Sequence, residues 1–182
     1  LKTIVVKYGL ISGVILAAFT AVLVPSCMAG AIDFEHSEIL GYSAMVVAFL
    51  LVFFGIRSYR EKAGGTITFG KAFQVGILIT LVVCAVYVVS WQIVYYGFIP
   101  DFEETFAAYS VNKLRESGAP PSEVAAMEKQ MTEYARLYKN PLFNIGFTFM
   151  EVFPVGLIVT LVSAAILRRR TPPEPEPASV TA

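Results

Sequence analysis

Hydrophobic and polar positions sort this chain into four long apolar runs, about residues 8–31, 39–56, 72–99 and 142–167, and two shorter amphipathic stretches. About 20 apolar residues in a helix cross the ~30 Å hydrocarbon of a bilayer, and water-soluble domains rarely carry several such runs. The pattern predicts four membrane-spanning helices. The fourth stops at Arg168, Arg169 and Arg170.

Residues 101–140 break the apolar pattern. In 101–117, Phe102, Phe106, Tyr109 and Leu114 recur at near-helical spacing, and Gly118, Ala119, Pro120 and Pro121 then interrupt the chain. Ser122 is placed to cap a second helix in which Val124, Met127, Met131, Tyr134 and Tyr138 form one apolar stripe. Asn140-Pro141 ends it. The expected fold is an all-α integral membrane protein: a four-helix transmembrane domain over 1–170, with an extracytoplasmic helical hairpin between the third and fourth spans. The hairpin reads either as a cap packed on the bundle or as a docking surface for an envelope protein or a ligand. Downstream, 171–182 alternates Pro and Glu with small residues and buries too little apolar surface to order itself, so a disordered tail is expected.

Charge orients the bundle. Lys2 and Lys7 precede the first run, Arg57, Arg60, Lys62 and Lys71 lie between the second and third, and the arginine triplet follows the fourth. Basic residues in short flanks mark the cytoplasmic side, so both termini are expected in the cytoplasm and the 101–140 segment outside it. The competing reading of the N-terminus is a cleaved export signal, with Ala29-Gly30-Ala31 as the cleavage site or, in a weaker variant, Cys27 as a lipoprotein cysteine. The apolar stretch exceeds the ~7–15 residues of a signal core, which favours a retained helix.

Composition agrees with the membrane reading: 56% of residues are apolar and 15% charged, too little polar surface for a soluble fold of this length. The formal net charge is zero, and nucleic acid is not expected as a partner. The partners expected are the lipid bilayer, a second copy of the chain or an envelope protein. Cys27 and Cys84 fall inside apolar runs, where thiols act as small packing residues, so neither a disulfide framework nor a zinc site is expected.

Four constellations bear on chemistry. Gly65-Thr66-Ile67-Thr68-Phe69-Gly70-Lys71 has the spacing of a phosphate-binding loop, but Ala72 stands where the metal-binding hydroxyl belongs and no strand precedes it, so it reads as a turn. Asp33, Glu35, His36 and Glu38 gather the only histidine among three carboxylates, either a weak metal or pH-sensing site or a hydrated turn whose acids favour the helix dipole that follows. Glu151 lies well inside the fourth run, where an ionised acid costs about 2.5–3.5 kcal/mol and must face the bundle interior, pair or take up a proton. Gln92, Tyr87 and Ser90 lie at similar depth on the third run, and a polar cluster of Glu151 with Gln92 and Tyr87 or Ser90 is expected, with Pro154 kinking the helix beside it. No acid or base stands at the same depth on another span, which counts against a pump. Finally, Gly9, Gly13, Ala17 and Ala21, then Gly76, Thr80 and Cys84, then Gly156, Thr160 and Ala164 form small-residue stripes that predict close helix packing within one chain, with homodimerisation as the lesser reading.

Several strings, taken in order, resemble a known family: Lys7-Tyr8-Gly9-Leu10-Ile11-Ser12-Gly13, Asp33-Phe34-Glu35-His36, Glu38-Ile39-Leu40-Gly41-Tyr42, Phe54-Gly55-Ile56-Arg57-Ser58-Tyr59-Arg60, Phe69-Gly70-Lys71-Ala72-Phe73, Asn140-Pro141 and Glu151-Val152-Phe153-Pro154-Val155-Gly156. Together they are similar to the bacterial membrane-protein family catalogued as domain of unknown function 4199. The resemblance implies a small multi-span protein of the bacterial inner membrane and supplies no catalytic residues or cofactor. No nucleophile–base pair, dense metal cluster or cofactor loop is legible either, so a non-enzymatic protein acting through packing or partner binding at the outer hairpin is expected. The alternative is a small transporter or ion- or proton-conducting protein using Glu151.

Overall fold

The computed structural model describes residues 1–169, leaving Arg170 and the 171–182 tail outside the described residues. Six helices follow one another: α1 (Lys2–Met28), α2 (Phe34–Lys62), α3 (Phe69–Phe98), α4 (Phe102–Glu116), α5 (Pro121–Tyr138) and α6 (Pro141–Leu167). Four of them, α1, α2, α3 and α6, are long and apolar enough to cross a membrane. Their outer surfaces carry exposed side chains such as Val22, Val47, Ile93 and Ile158. An exterior this apolar matches lipid rather than water.

The helices outrun the apolar runs that predict them. α2 extends to Lys62 where the apolar run ends at Ile56, and α1 begins at Lys2. An apolar run measures hydrocarbon thickness, whereas a helix continues through charged residues until its caps stop it; Arg60 and Lys62 suit the negative end of the α2 dipole. Gly64 and Gly65, at φ +86° and +84°, then turn the chain in a conformation that side chains with a Cβ resist. Thr68 caps α3, its hydroxyl accepting from the Lys71 backbone N–H at 3.3 Å. The phosphate-loop-like string is thus a turn and a helix cap. Asn140 caps α6 in the same way, accepting from the Leu142 N–H at 3.0 Å. The expected Ser122 cap is corrected: Pro120 is the cap residue and Pro121 the first residue of α5. A proline disfavours the helical conformation in the residue before it and is itself preset for the first turn, so the boundary falls between the two prolines.

The small-residue stripes meet one another inside the chain. Gly9 and Gly13 of α1 lie against Val82 and Val86 of α3, so those two helices run parallel. Gly76 and Thr80 of α3 face Thr160 and Gly156 of α6 in antiparallel register, with the Thr80 and Thr160 hydroxyls 2.9 Å apart. The Ser12 hydroxyl donates to the Ala48 carbonyl of α2 at 2.6 Å. Phe49, Val52 and Ile56 of α2, Val75, Ile79 and Val83 of α3, and Val152 of α6 complete a dry core with no accessible surface. That core occupies the end of the bundle where α1 and α3 begin and α2 and α6 finish. There, Ile67 and Arg169 exchange backbone hydrogen bonds of 3.1 and 2.9 Å, and the Arg60 guanidinium donates to the Leu167 carbonyl at 3.3 Å.

The hairpin sits on the opposite end. Phe34, at the start of α2, is ringed by Phe102, Phe106 and Tyr109 of α4 at centroid distances of 4.9–6.4 Å. On the other side, the Trp91 indole N–H of α3 donates to the Tyr138 hydroxyl at 2.8 Å, and Tyr134 and Tyr138 pack edge-on against Phe147 of α6. The aromatic ends of both hairpin stripes, Phe102, Phe106 and Tyr109 of α4 and Tyr134 and Tyr138 of α5, are therefore packed on the bundle.

Candidate functional site

Beneath the hairpin the four long helices separate, and a cavity of about 440 Å³ opens among them. All six helices contribute to its wall. Leu16 and Thr20 line it from α1, Glu38 and Tyr42 from α2, Tyr87 and Trp91 from α3, Phe102 and Phe106 from α4, Tyr134 and Tyr138 from α5, and Phe147 and Glu151 from α6. The packed layer of Phe49, Thr80 and Gly156 stands one to two turns further along and has no room for solvent. The cavity is a vestibule with a floor.

Glu151 stands ten residues into α6, roughly 15 Å from the hairpin end at 1.5 Å per residue. It is exposed to the cavity, as is Tyr42 across from it. The second carboxylate in the wall is Glu38, one turn into α2 and nearer the hairpin. Among the described residues no Lys, Arg or His lines the cavity, so neither carboxylate has a cationic partner in it. Tyr87, Trp91 and Tyr138 are at least nine-tenths buried and present aromatic rings to the same space. Burial pushes the Tyr138 phenol up to about 12, so that group stays neutral.

The expected polar cluster is only partly assembled. Tyr87 shares the cavity with Glu151. Gln92 instead donates to the Asn144 side-chain carbonyl at 2.7 Å, and the Ser90 hydroxyl turns back to the Val86 carbonyl of its own helix at 2.8 Å. Helical geometry explains the division. Tyr87 and Trp91, four residues apart, share a face, while Ser90 and Gln92 are each rotated about 100° away from Trp91. Pro154 lies inside α6, which the described helix traverses without interruption.

The acidic segment before α2 is dispersed as well. Glu35 accepts from the Lys113 ammonium of α4 at 2.7 Å, His36 lies 3.5 Å from Asp33, and Glu38 turns inward to the cavity. No group of three metal-ligating side chains occurs among the described residues. Glu35, in the first turn of α2, is drawn outward to Lys113, whereas Glu38, one turn deeper on the Tyr42, Met45, Phe49 face, lines the cavity. Glu38 stands shallower than Glu151, and the two acids nonetheless share one cavity.

Residues 7–169 match the family model described as a protein of unknown function, DUF4199. The chain belongs to the DUF4199 family. No curated protein and no solved structure matches it. For this DUF4199 chain the resemblance in the ordered strings thus extends from Lys7 to Arg169, and any activity has to be argued from the vestibule itself.

Two buried polar groups had no signal in the sequence. Glu103 of α4 is 1% exposed; its Oε1 accepts from the Tyr95 hydroxyl at 2.6 Å, and its Oε2 is buried with no partner among the described residues. Asn144 is fully buried, its carbonyl oxygen accepting from Gln92 and, at 3.4 Å, from the Thr148 hydroxyl, while its Nδ2 is unpartnered. Glu103 abuts Phe102 in an amphipathic helix, and nothing in that pattern marks an acid as inward-facing.

Proposed function

We propose that this chain is a non-enzymatic integral protein of the bacterial inner membrane, both termini cytoplasmic, that admits a small solute from the outer side into the vestibule under its hairpin. The observation that carries this reading is Glu151, an ionisable group on an apolar helix that faces a cavity walled by α1 to α6. Ionisable groups at such depth are costly and mark binding sites and pathways. The orientation rests on Lys2, Lys7, Arg57, Arg60, Lys62, Lys71, Arg168 and Arg169, which all flank the end of the bundle away from the hairpin.

Partner docking through the hairpin is the weaker reading. The aromatic ends of the stripes pack on the bundle, and the groove left between α4 and α5 is edged by Glu104–Lys139 and Arg115–Glu128 ion pairs. Exposed pairs of this kind give little affinity by themselves.

Access tests the proposal. Gly41 lines the vestibule and has no atom within 4 Å of where a Cβ would stand, so Gly41→Cys fits without displacing neighbours. In a Cys27→Ser background, a membrane-impermeant thiol reagent applied to the outer face is expected to label Cys at this position rapidly, while Cys84, fully buried in α3, stays silent. Labelling only from the cytoplasmic face would reverse the orientation, and protection from both faces would remove the vestibule reading.

A further inference from the structure

The wall of the vestibule has a chemistry more specific than its shape. Nine of the twenty residues lining it are Phe, Tyr or Trp, two are Glu, and none is Lys, Arg or His. Four of the five cations of the neighbouring hairpin are paired elsewhere, Lys113 on Glu35, Arg115 on Glu128, Arg136 on Glu133 and Lys139 on Glu104, and the fifth, Lys129, is not among the residues that line the cavity. The two carboxylates inside thus have no cation to turn to, and the rings around them offer negative faces.

We infer that the vestibule is a binding site for a small organic cation, an amine or quaternary ammonium on an apolar body, held between Glu151 and the aromatic wall. The inference deepens the solute reading above and rests on it. A cation over an aromatic face gains from the ring quadrupole, most strongly when desolvated, and Trp is the best such ring. Trp91 stands in the wall, 6% exposed, with Tyr87 one turn below it on the same face. Its N–H is directed to Tyr138 at 2.8 Å, which fixes the plane of the indole. An anion would meet two carboxylates, and a neutral polar solute would forgo both the carboxylate and the ring faces. The cavity of about 440 Å³ falls in the lower part of the range for small-ligand sites, which suits a compact amine. The exposed Glu151 and Tyr42 leave the site open, so the cation can arrive free in solution or as the headgroup of an amino-lipid; both bring the same ammonium.

Trp91 is the chain's only tryptophan and lines the site, so its fluorescence reports occupancy directly. Full-length protein in phosphatidylglycerol nanodiscs is titrated with benzyltrimethylammonium, with its uncharged carbon isostere neopentylbenzene, and with benzylphosphonate. The cation is expected to bind at least tenfold more tightly than the isostere, and the anion not at all. Glu151→Gln, which keeps the shape and removes the charge, is expected to weaken the cation at least tenfold and change the isostere less than twofold. Glu104→Gln, on the outer face of the hairpin, is expected to leave both unchanged. Repeating the titration with phosphatidylethanolamine in the nanodisc separates the sources: a fall in amine affinity assigns the site to a lipid headgroup, and no change assigns it to a free amine. Equal binding of cation and isostere, or preference for the anion, would overturn the cation assignment and leave the vestibule a solute site. Absence of any binding, with Gly41→Cys unlabelled from outside, would overturn the vestibule reading as well.

Discussion

Gly156→Ala is the sharpest probe of how α3 and α6 are held together. A methyl carbon on residue 156 would stand 2.5 Å from Thr80 Cγ2 and 2.6 and 2.7 Å from two ring carbons of Phe49. Non-bonded carbons sit at about 3.5–4.0 Å, so the deficit is roughly 1 Å at three atoms at once. Neither neighbour is a loose end: both are fully buried, and the Thr80 hydroxyl is tied to Thr160 at 2.9 Å. The helices must therefore part. Overpacking costs about 1–3 kcal/mol, three contacts at once place Gly156→Ala at the upper end, about 2–3 kcal/mol, and the gain in helix propensity from Gly to Ala returns about 1 kcal/mol. The net loss is about 1–2 kcal/mol, which for a chain of this length lowers Tm by roughly 2–8 °C. Gly146→Ala is the internal control, since nothing lies within 4 Å of its Cβ position, and it is expected to hold or raise Tm. Thermal unfolding in detergent, followed by circular dichroism, measures both. If Gly156→Ala is as stable as Gly146→Ala, the close approach of α3 and α6 at this layer is wrong.

Three further outcomes are expected. Tyr95→Phe removes the one donor to buried Glu103 and is expected to cost about 1–3 kcal/mol and to speed proteolysis between α4 and α5, whereas the double variant Tyr95→Phe with Glu103→Leu recovers most of the loss because no polar group is then stranded. Tyr138 is expected to form its phenolate near pH 12 by ultraviolet titration of a variant series; because its folded value lies above the ordinary one, its contribution to stability is complete below about pH 10 and is lost as pH rises towards 12. Glu133 is held below the usual carboxylate range by the hydrogen bond and charge of Arg136, so this pair is expected to survive mild acid and dissolve only as pH falls through that lowered value, visible as a carboxylate chemical shift that lags those of other exposed glutamates.

The four long helices and the hairpin were legible because each rests on a strong signal: apolar length for α1, α2, α3 and α6, and a 3–4-residue apolar stripe for α4 and α5. The cap falls at Pro120 and not at Ser122 because two adjacent prolines constrain the boundary more strongly than a hydroxyl's capping preference does. The site was legible one residue at a time. Glu151 stands out in sequence because acids are rare in apolar runs, but its neighbours depend on rotation about each helix, which distance along the chain does not resolve. Ser90 and Gln92 match Glu151 in depth but not in rotation, whereas Glu38 shares its cavity from a shallower level. A signal for Glu38 does exist: with Tyr42, Met45, Phe49, Val52 and Ile56 it keeps a spacing of three or four and so shares the core face of α2. Glu103 and Asn144 had no comparable marker, since their partners Tyr95 and Gln92 come from another helix.

The floor of the vestibule has an electrical consequence. Carrying an ion through a dry layer such as Phe49 and Thr80 meets an idealised Born cost of about 20 kcal/mol, so that layer insulates. A vestibule open to one side and bulk water on the other concentrate the membrane field across the insulator between them. A charge crossing the whole membrane exchanges about 2.3 kcal/mol per 100 mV, but a cation that reaches Glu151 from the open side traverses almost none of that drop. Its occupancy should therefore follow concentration and scarcely feel the potential, and voltage would enter only through a motion that separates α3 from α6 and moves the insulator past it.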